Sequence, residues 1–264
     1  MVRAMTLDLA TLDYGTDRPG RALVVLHGLF GSARNWATLA RTLAEERPVI
    51  CADLRNHGGS PWAAAMDYPA MAADVAALIE RRGLDRPDVL GHSMGGKTAM
   101  RLALDRPEAL SRLIVLDIAP VAYDDRHSDY VRAMRAVPLE TLSRRAEADP
   151  YLADTVPEAP LRAFLLQNLV SENGRLAWWI NLDAISDAMA DLTGWPEPPQ
   201  GASFEGPALF LKGETSGYVT AEGEAEIRRL FPQAAFDAVP GAGHWAHAEK
   251  PKEFLARVQR FLAG

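Results

Sequence analysis

The chain has 264 residues, of which 48% are hydrophobic and 24% charged, a length that favours one domain with a full core and an insertion. Its 20 Gly and 18 Pro are dispersed without a short period, which excludes collagen-like, low-complexity and disordered classes. With 28 Lys and Arg against 35 Asp and Glu the formal charge is −7, and no stretch is strongly basic, so nucleic acid is not an expected partner.

The first 60 residues alternate strand and helix signals. Met5, Leu7 and Leu9 keep a period of two, and with a second short strand near 12–14 they predict an edge hairpin. Residues 22–26 and 48–52 are continuous aliphatic runs, expected of parallel strands covered on both faces. Between them Trp36, Leu39, Ala40 and Leu43 form one helical stripe, completing a β-α-β unit. Met71, Val75, Leu78 and Ile79 repeat that stripe. Val89 and Leu90 predict a short strand, 94–104 a helix, and 113–116 another buried strand. The alternation predicts an α/β fold with a mostly parallel, doubly wound sheet. From 120 to 206 the rhythm changes, with helical patterns at 130–137 and 161–170 and no buried strand run, so a helical cap insertion is expected there. Residues 1–119 and 207–264 would form the core domain. Strands resume at 208–211 and 235–239, and Phe254, Leu255, Val258, Phe261 and Leu262 give a last amphipathic helix.

Gly91-His92-Ser93-Met94-Gly95 matches G-x-S-x-G between a predicted strand and a predicted helix. A serine at such a turn sits in strained backbone with its hydroxyl exposed, and the flanking glycines let strand and helix approach. A serine hydroxyl is a poor nucleophile and needs a general base. Of the six histidines, His27, His57 and His92 lie in loops beside the sheet and read as structural, and His127 lies in the insertion. Where this turn carries a nucleophile the histidine comes last in the chain, which leaves His244 and His247. The flexible Gly241-Ala242-Gly243 loop favours His244.

Taken together, 27–31 (HGLFG), 53–58 (DLRNHG), 91–97 (GHSMGGK) and Gly243-His244 followed by Glu249-Lys250-Pro251 resemble the α/β-hydrolase superfamily. Within it the chain is most similar to small bacterial acyl-ester hydrolases, the carboxylesterases, and to related mitochondrial α/β-hydrolase-domain proteins. The resemblance implies an oxyanion hole from the backbone N–H groups of Leu29 and Met94. It also implies an acid after a strand, and here the sequence departs from the usual pattern, because the position that normally holds aspartate is Ser216. Asp117, at the end of the preceding strand, resembles the alternative placement found in the esterase subgroup. Glu214 is the competing candidate.

The expected activity is therefore hydrolysis of short to medium acyl esters through Ser93, Asp117 and His244 and an acyl-enzyme, with a small-molecule ester as partner. Thioester, lactone and C–C bond hydrolysis use the same machinery, and a non-catalytic ligand receptor is the alternative of another class. No metal and no cofactor are implied. Trp178, Trp179, Phe164 and Met134 could line an acyl pocket or build the core of the insertion. Asp53, Arg55 and Asn56 are expected to brace loops, and Lys97 reads as a solvated or ion-paired helix charge. A lone cysteine, Cys51, suits a reducing compartment, and no leader or 18-residue apolar run is seen, so a cytoplasmic monomer or small homo-oligomer without membrane insertion is expected.

Overall fold

The computed structural model describes residues 6–264. Short aliphatic runs supply the strands: β1 (Thr11–Tyr14), β2 (Leu23–Leu26), β3 (Val49–Ala52), β4 (Asp88–His92), β5 (Leu113–Leu116), β6 (Leu169–Glu172), β7 (Arg175–Trp178), β8 (Ala208–Gly213) and β9 (Ala234–Val239). Among the described residues, seven of them form one sheet in the order β1-β3-β2-β4-β5-β8-β9. Every neighbouring pair is parallel except β1 with β3. Because side chains alternate along a strand, the aliphatic runs feed two cores at once. Val24, Leu26, Val89, Val115 and Phe210 pack on one face, and Leu23, Val25, Leu90, Ile114 and Leu211 on the other.

The helices among the described residues include those built on the predicted stripes at 36–43, 71–79, 94–104 and 254–262, which cover these faces. The helices are α1 (Ala37–Leu43), α2 (Tyr68–Arg81), α3 (Met94–Asp105), α4 (Ser128–Arg135), α5 (Asp149–Leu152), α6 (Ala159–Leu166), α7 (Leu182–Asp187), α8 (Met189–Thr193), α9 (Ala221–Leu230), α10 (Ala246–Glu249) and α11 (Pro251–Ala263). Asp67 caps α2 by accepting from the Ala70 N–H at 2.7 Å, a contact of the kind that stabilises by about 1 kcal/mol. Met71, Val75, Met100 and Ala103 of α2 and α3 join the first core. Leu39 and Leu43 of α1 and Phe254, Val258 and Leu262 of α11 join the second.

Two expectations are corrected. No hairpin precedes β1 among the described residues: β1 pairs with β3 instead, and Met5 lies outside them. Leu7 and Leu9 pack on the core, but side chains satisfy their stretch of backbone. The Leu7 N–H donates to Asp74 Oδ1 at 2.7 Å and the Ala10 N–H to Ser60 Oγ at 2.9 Å.

The second correction concerns the segment 120–206, which is not wholly helical. Helix α6 stops at Leu166, and β6 and β7 form an antiparallel hairpin, with Leu169 opposite Trp178. Its turn is Asn173-Gly174, both at positive φ, 51° and 80°. Two successive left-handed residues are what a two-residue turn needs to match strand twist, and Asn-Gly adopts them at low cost.

Parallel strands bring the loops after their carboxyl ends to one edge of the sheet. His27-Gly28 follows β2, Asp53 follows β3, Ser93 follows β4, Asp117 follows β5 and Glu214 follows β8. The segment 120–206 lies against this edge: the Asn181 N–H donates to Asn56 O at 2.9 Å and Asn168 Nδ2 donates to Phe30 O at 2.8 Å.

Candidate active site

Ser93 stands between β4 and α3 at φ 52°, ψ −117°, a conformation that costs a non-glycine residue about 1–3 kcal/mol. The flanking glycines make it possible. A Cβ on Gly95 would meet the carbonyl oxygens of Leu26 and His27 at 2.5 Å, and one on Gly91 would strike the Gly95 backbone. Ser93, His244 and the 27–31 loop line one cavity of about 190 Å3.

Asp117, 1% exposed, follows β5 at a φ of 54°. His244 Nδ1 lies 2.7 Å from Asp117 Oδ2. The same carboxylate accepts from the Gly213 N–H at 3.1 Å and from the Ser216 hydroxyl. With the imidazole donating through Nδ1, its Nε2 carries the lone pair a base requires. Ser216, read from sequence only as unable to be the acid, thus donates to the Asp117 carboxylate from the position where the superfamily's usual pattern has aspartate. Glu214 does not reach the histidine: Oε2 accepts from the Gly241 N–H at 2.8 Å. It steadies one end of the histidine loop, and Glu249 steadies the other by accepting from the Gly243 N–H at 2.7 Å.

Tyr218 stacks on the His244 ring at 4.0 Å between centroids, and Trp245 meets its edge at 5.3 Å. His92 is pushed well below the ordinary histidine range by burial and by His247 and His244 nearby, so its neutral ring donates from Nε2 to the His244 carbonyl at 3.0 Å. His27 donates from Nδ1 to Gly28 O at 2.8 Å and accepts at Nε2 from the Leu54 N–H at 2.9 Å. His57 Nε2 accepts from the Phe30 N–H at 3.3 Å. These histidines hold the loop that carries Leu29. Met94 is the first residue of α3, where N–H groups have no partner in the helix. Asp53 accepts from the Ala33 and Gly59 N–H groups at 2.7 and 2.8 Å, Arg55 pairs with buried Asp74 at 2.7 Å, and Asn56 Oδ1 accepts from the Ala63 N–H at 2.8 Å. All three brace loops.

Phe164 lines the cavity, while Met134, Trp178 and Trp179 do not. Met134 is wholly buried in the core. Trp178 packs against that core from β7, and Trp179 lies under the Arg34 guanidinium at 3.9 Å. Sequence reasoning missed Arg126, His127, Tyr130 and Tyr218, which also line the cavity. Of these, only Tyr218 stood near a recognised position, two residues past Ser216. Among the described residues Lys97 has no ion-pair partner, and it is not solvated. It is 1% exposed, donating from Nζ to Thr193 O at 3.2 Å and Gly194 O at 2.6 Å. Among the described residues, no three His, Cys, Asp or Glu side chains cluster as a metal site requires.

Burial holds His27 down to about 4 and His57 and His247 down to about 3. An unfolded chain protonates these rings near 6.5, so between that value and about 4 the unfolded state binds more protons. Stability is therefore full above about 6.5 and is lost on acidification, by up to about 1.4 kcal/mol per pH unit for each ring. The melting temperature is expected to drop steadily from pH 6.5 to 5. His247→Phe should flatten that drop, since it keeps the stack on Trp36 and removes a nitrogen, Nδ1, that has no partner. An equally steep drop in the variant would refute the assignment.

A serine in a strained strand-to-helix turn, sharing a cavity with a histidine bound to a buried aspartate at the carboxyl edge of a parallel sheet, defines an α/β-hydrolase type of molecule. The model of the alpha/beta hydrolase fold family matches residues 21–251, and the chain belongs to that family. It is 43% identical over 264 residues to sn-1-specific diacylglycerol lipase ABHD11 of Xenopus tropicalis, across 97% of this chain and 82% of that one. Esterase YbfF of Escherichia coli is 36% identical over 241 residues, 91% of this chain and 92% of its own. Among solved structures a marine microorganism esterase shares 37% identity and superposes with a TM-score of 0.91, over 97% of this chain and 100% of the other.

Proposed function

We propose that the protein is a carboxylic ester hydrolase in which Ser93 is the nucleophile, His244 the general base and Asp117 the acid that orients it. The observation that carries this reading is the 2.7 Å contact from His244 Nδ1 to a buried aspartate, in a loop that lines the same cavity as Ser93. His244 Nε2 takes the Ser93 proton as Oγ attacks the ester carbonyl, and Asp117 balances the imidazolium. The Leu29 and Met94 N–H groups hold the oxyanion, each donor lowering the barrier by on the order of 3 kcal/mol. The imidazolium returns its proton to the leaving alcohol, and a water activated by His244 then releases the acid.

The relatives named as esterases and lipases support ester rather than amide chemistry. The experiment is labelling with a fluorophosphonate together with turnover of p-nitrophenyl butanoate, expected to be positive in both. Labelling without turnover would favour a binding protein.

Short to medium acyl chains are expected to be preferred. The space beside Ser93, about 190 Å3 with a smaller lobe of about 40 Å3, is below the range of about 300–1,000 Å3 typical of sites for larger ligands. Among the described residues no helix is long and apolar enough to cross a membrane. Across p-nitrophenyl esters kcat/KM should peak at about four carbons and fall through eight to sixteen. A steady rise to sixteen would contradict it.

A further inference from the structure

The space at Ser93 has two lobes. His244 lines the larger and is not part of the smaller, which holds about 40 Å3. Ser93, Leu29, His127 and Tyr218 border both. In the reaction proposed above, His244 must hand its proton to the departing alcohol, so the alcohol lies on the His244 side. The acyl chain then points the opposite way, past Leu29 and Met94 into the smaller lobe. At roughly 10–15 Å3 for each water-sized sphere, that lobe takes about three atoms beyond the ester carbonyl.

The wall of the lobe is chemically unusual. Lys97 lies one helical turn beyond the nucleophile, its N–H donating to Ser93 O at 3.0 Å, and its side chain borders the lobe beside Leu192 and Tyr123. The ammonium has three donors. Two are spent on the Thr193 and Gly194 carbonyls. Among the described residues it has no carboxylate within ion-pair distance, and the ring of Tyr123, 4.7 Å away, offers only its face. Burial without a counter-charge pushes its pKa down to about 7. A buried donor of this kind gains most from an acceptor brought by the ligand.

We propose that Lys97 is a specificity-determining residue of this esterase, with its remaining donor facing a short acyl group that carries an uncharged acceptor oxygen two or three atoms beyond the ester carbonyl. A carboxylate suits the lobe less well, because Asp124 already stands in its wall. The inference rests on the ester-hydrolase reading.

Ethyl butanoate and ethyl 3-hydroxypropanoate test it, since they differ by a terminal methyl against a hydroxyl of similar size. With each rate divided by that for hydroxide hydrolysis of the same ester, the wild-type enzyme should favour the hydroxy ester in kcat/KM by about tenfold. In Lys97→Met the ratio should fall to about one or below. Equal rates in the wild type, or a preference that survives in Lys97→Met, would overturn the proposal. Leu192→Phe, which fills the lobe without touching the ammonium, should also abolish the preference, so the test stands even where Lys97→Met fails to fold. A retained preference in that variant overturns it equally. Failure of the underlying reading looks different: ethyl butanoate would not be hydrolysed and Ser93 would not take the fluorophosphonate.

Discussion

Ser93→Ala is expected to abolish fluorophosphonate labelling and to lower ester kcat by about 10⁶-fold, the scale seen when a serine protease loses its nucleophile. The size of the loss follows from the mechanism. Without Oγ no acyl-enzyme forms, and what remains is the rate that the oxyanion donors and binding alone supply to attack by water. The fold should tolerate the change, because the strain at φ 52° comes from the strand-to-helix turn and alanine adds no atom to it. A melting temperature close to wild type with kcat reduced to background is the expected pair of results. Near wild-type turnover would remove Ser93 from the mechanism.

The second large effect is expected at Asp117. Asp117→Asn should lower kcat by about 10⁴-fold, as amidation of a triad aspartate does in a protease. An amide can accept from only one oxygen, while the carboxylate here accepts from His244, Ser216 and Gly213 together. It can also donate to His244 Nδ1, which fixes the wrong tautomer, and it carries no charge to balance an imidazolium. Ser216→Ala and Glu214→Gln should each cost less than about tenfold. Ser216 supports the carboxylate without replacing it, and Glu214 touches only the backbone of the histidine loop. Steady-state kinetics on p-nitrophenyl butanoate separates the cases. A crippled Glu214→Gln beside a nearly silent Asp117→Asn would move the acid to the later strand.

The parts of this protein that sequence determines by itself are those decided within a few residues of chain. The order of aliphatic runs and amphipathic stripes specifies the parallel sheet and its two cores, because burial on both faces demands such runs. The Ser93 turn is equally local, since Gly91 and Gly95 are the residues that let strand and helix meet. The β6–β7 hairpin belongs here too: Asn173-Gly174 marks it plainly, and reading 161–170 as one helix passed over that turn.

Contacts between residues far apart in the chain were decided by tertiary structure. That Ser216 donates to Asp117 depends on β5 and β8 lying side by side, across 99 residues. Whether Trp178 and Trp179 face the serine or turn away depends on where the hairpin packs, which period and hydropathy leave open. Lys97 is the clearest case. A lysine on a helix is most often solvated, and its local sequence says nothing to the contrary. The Thr193 and Gly194 carbonyls, 96 and 97 residues later, receive it and make a surface-type charge a buried donor near Ser93.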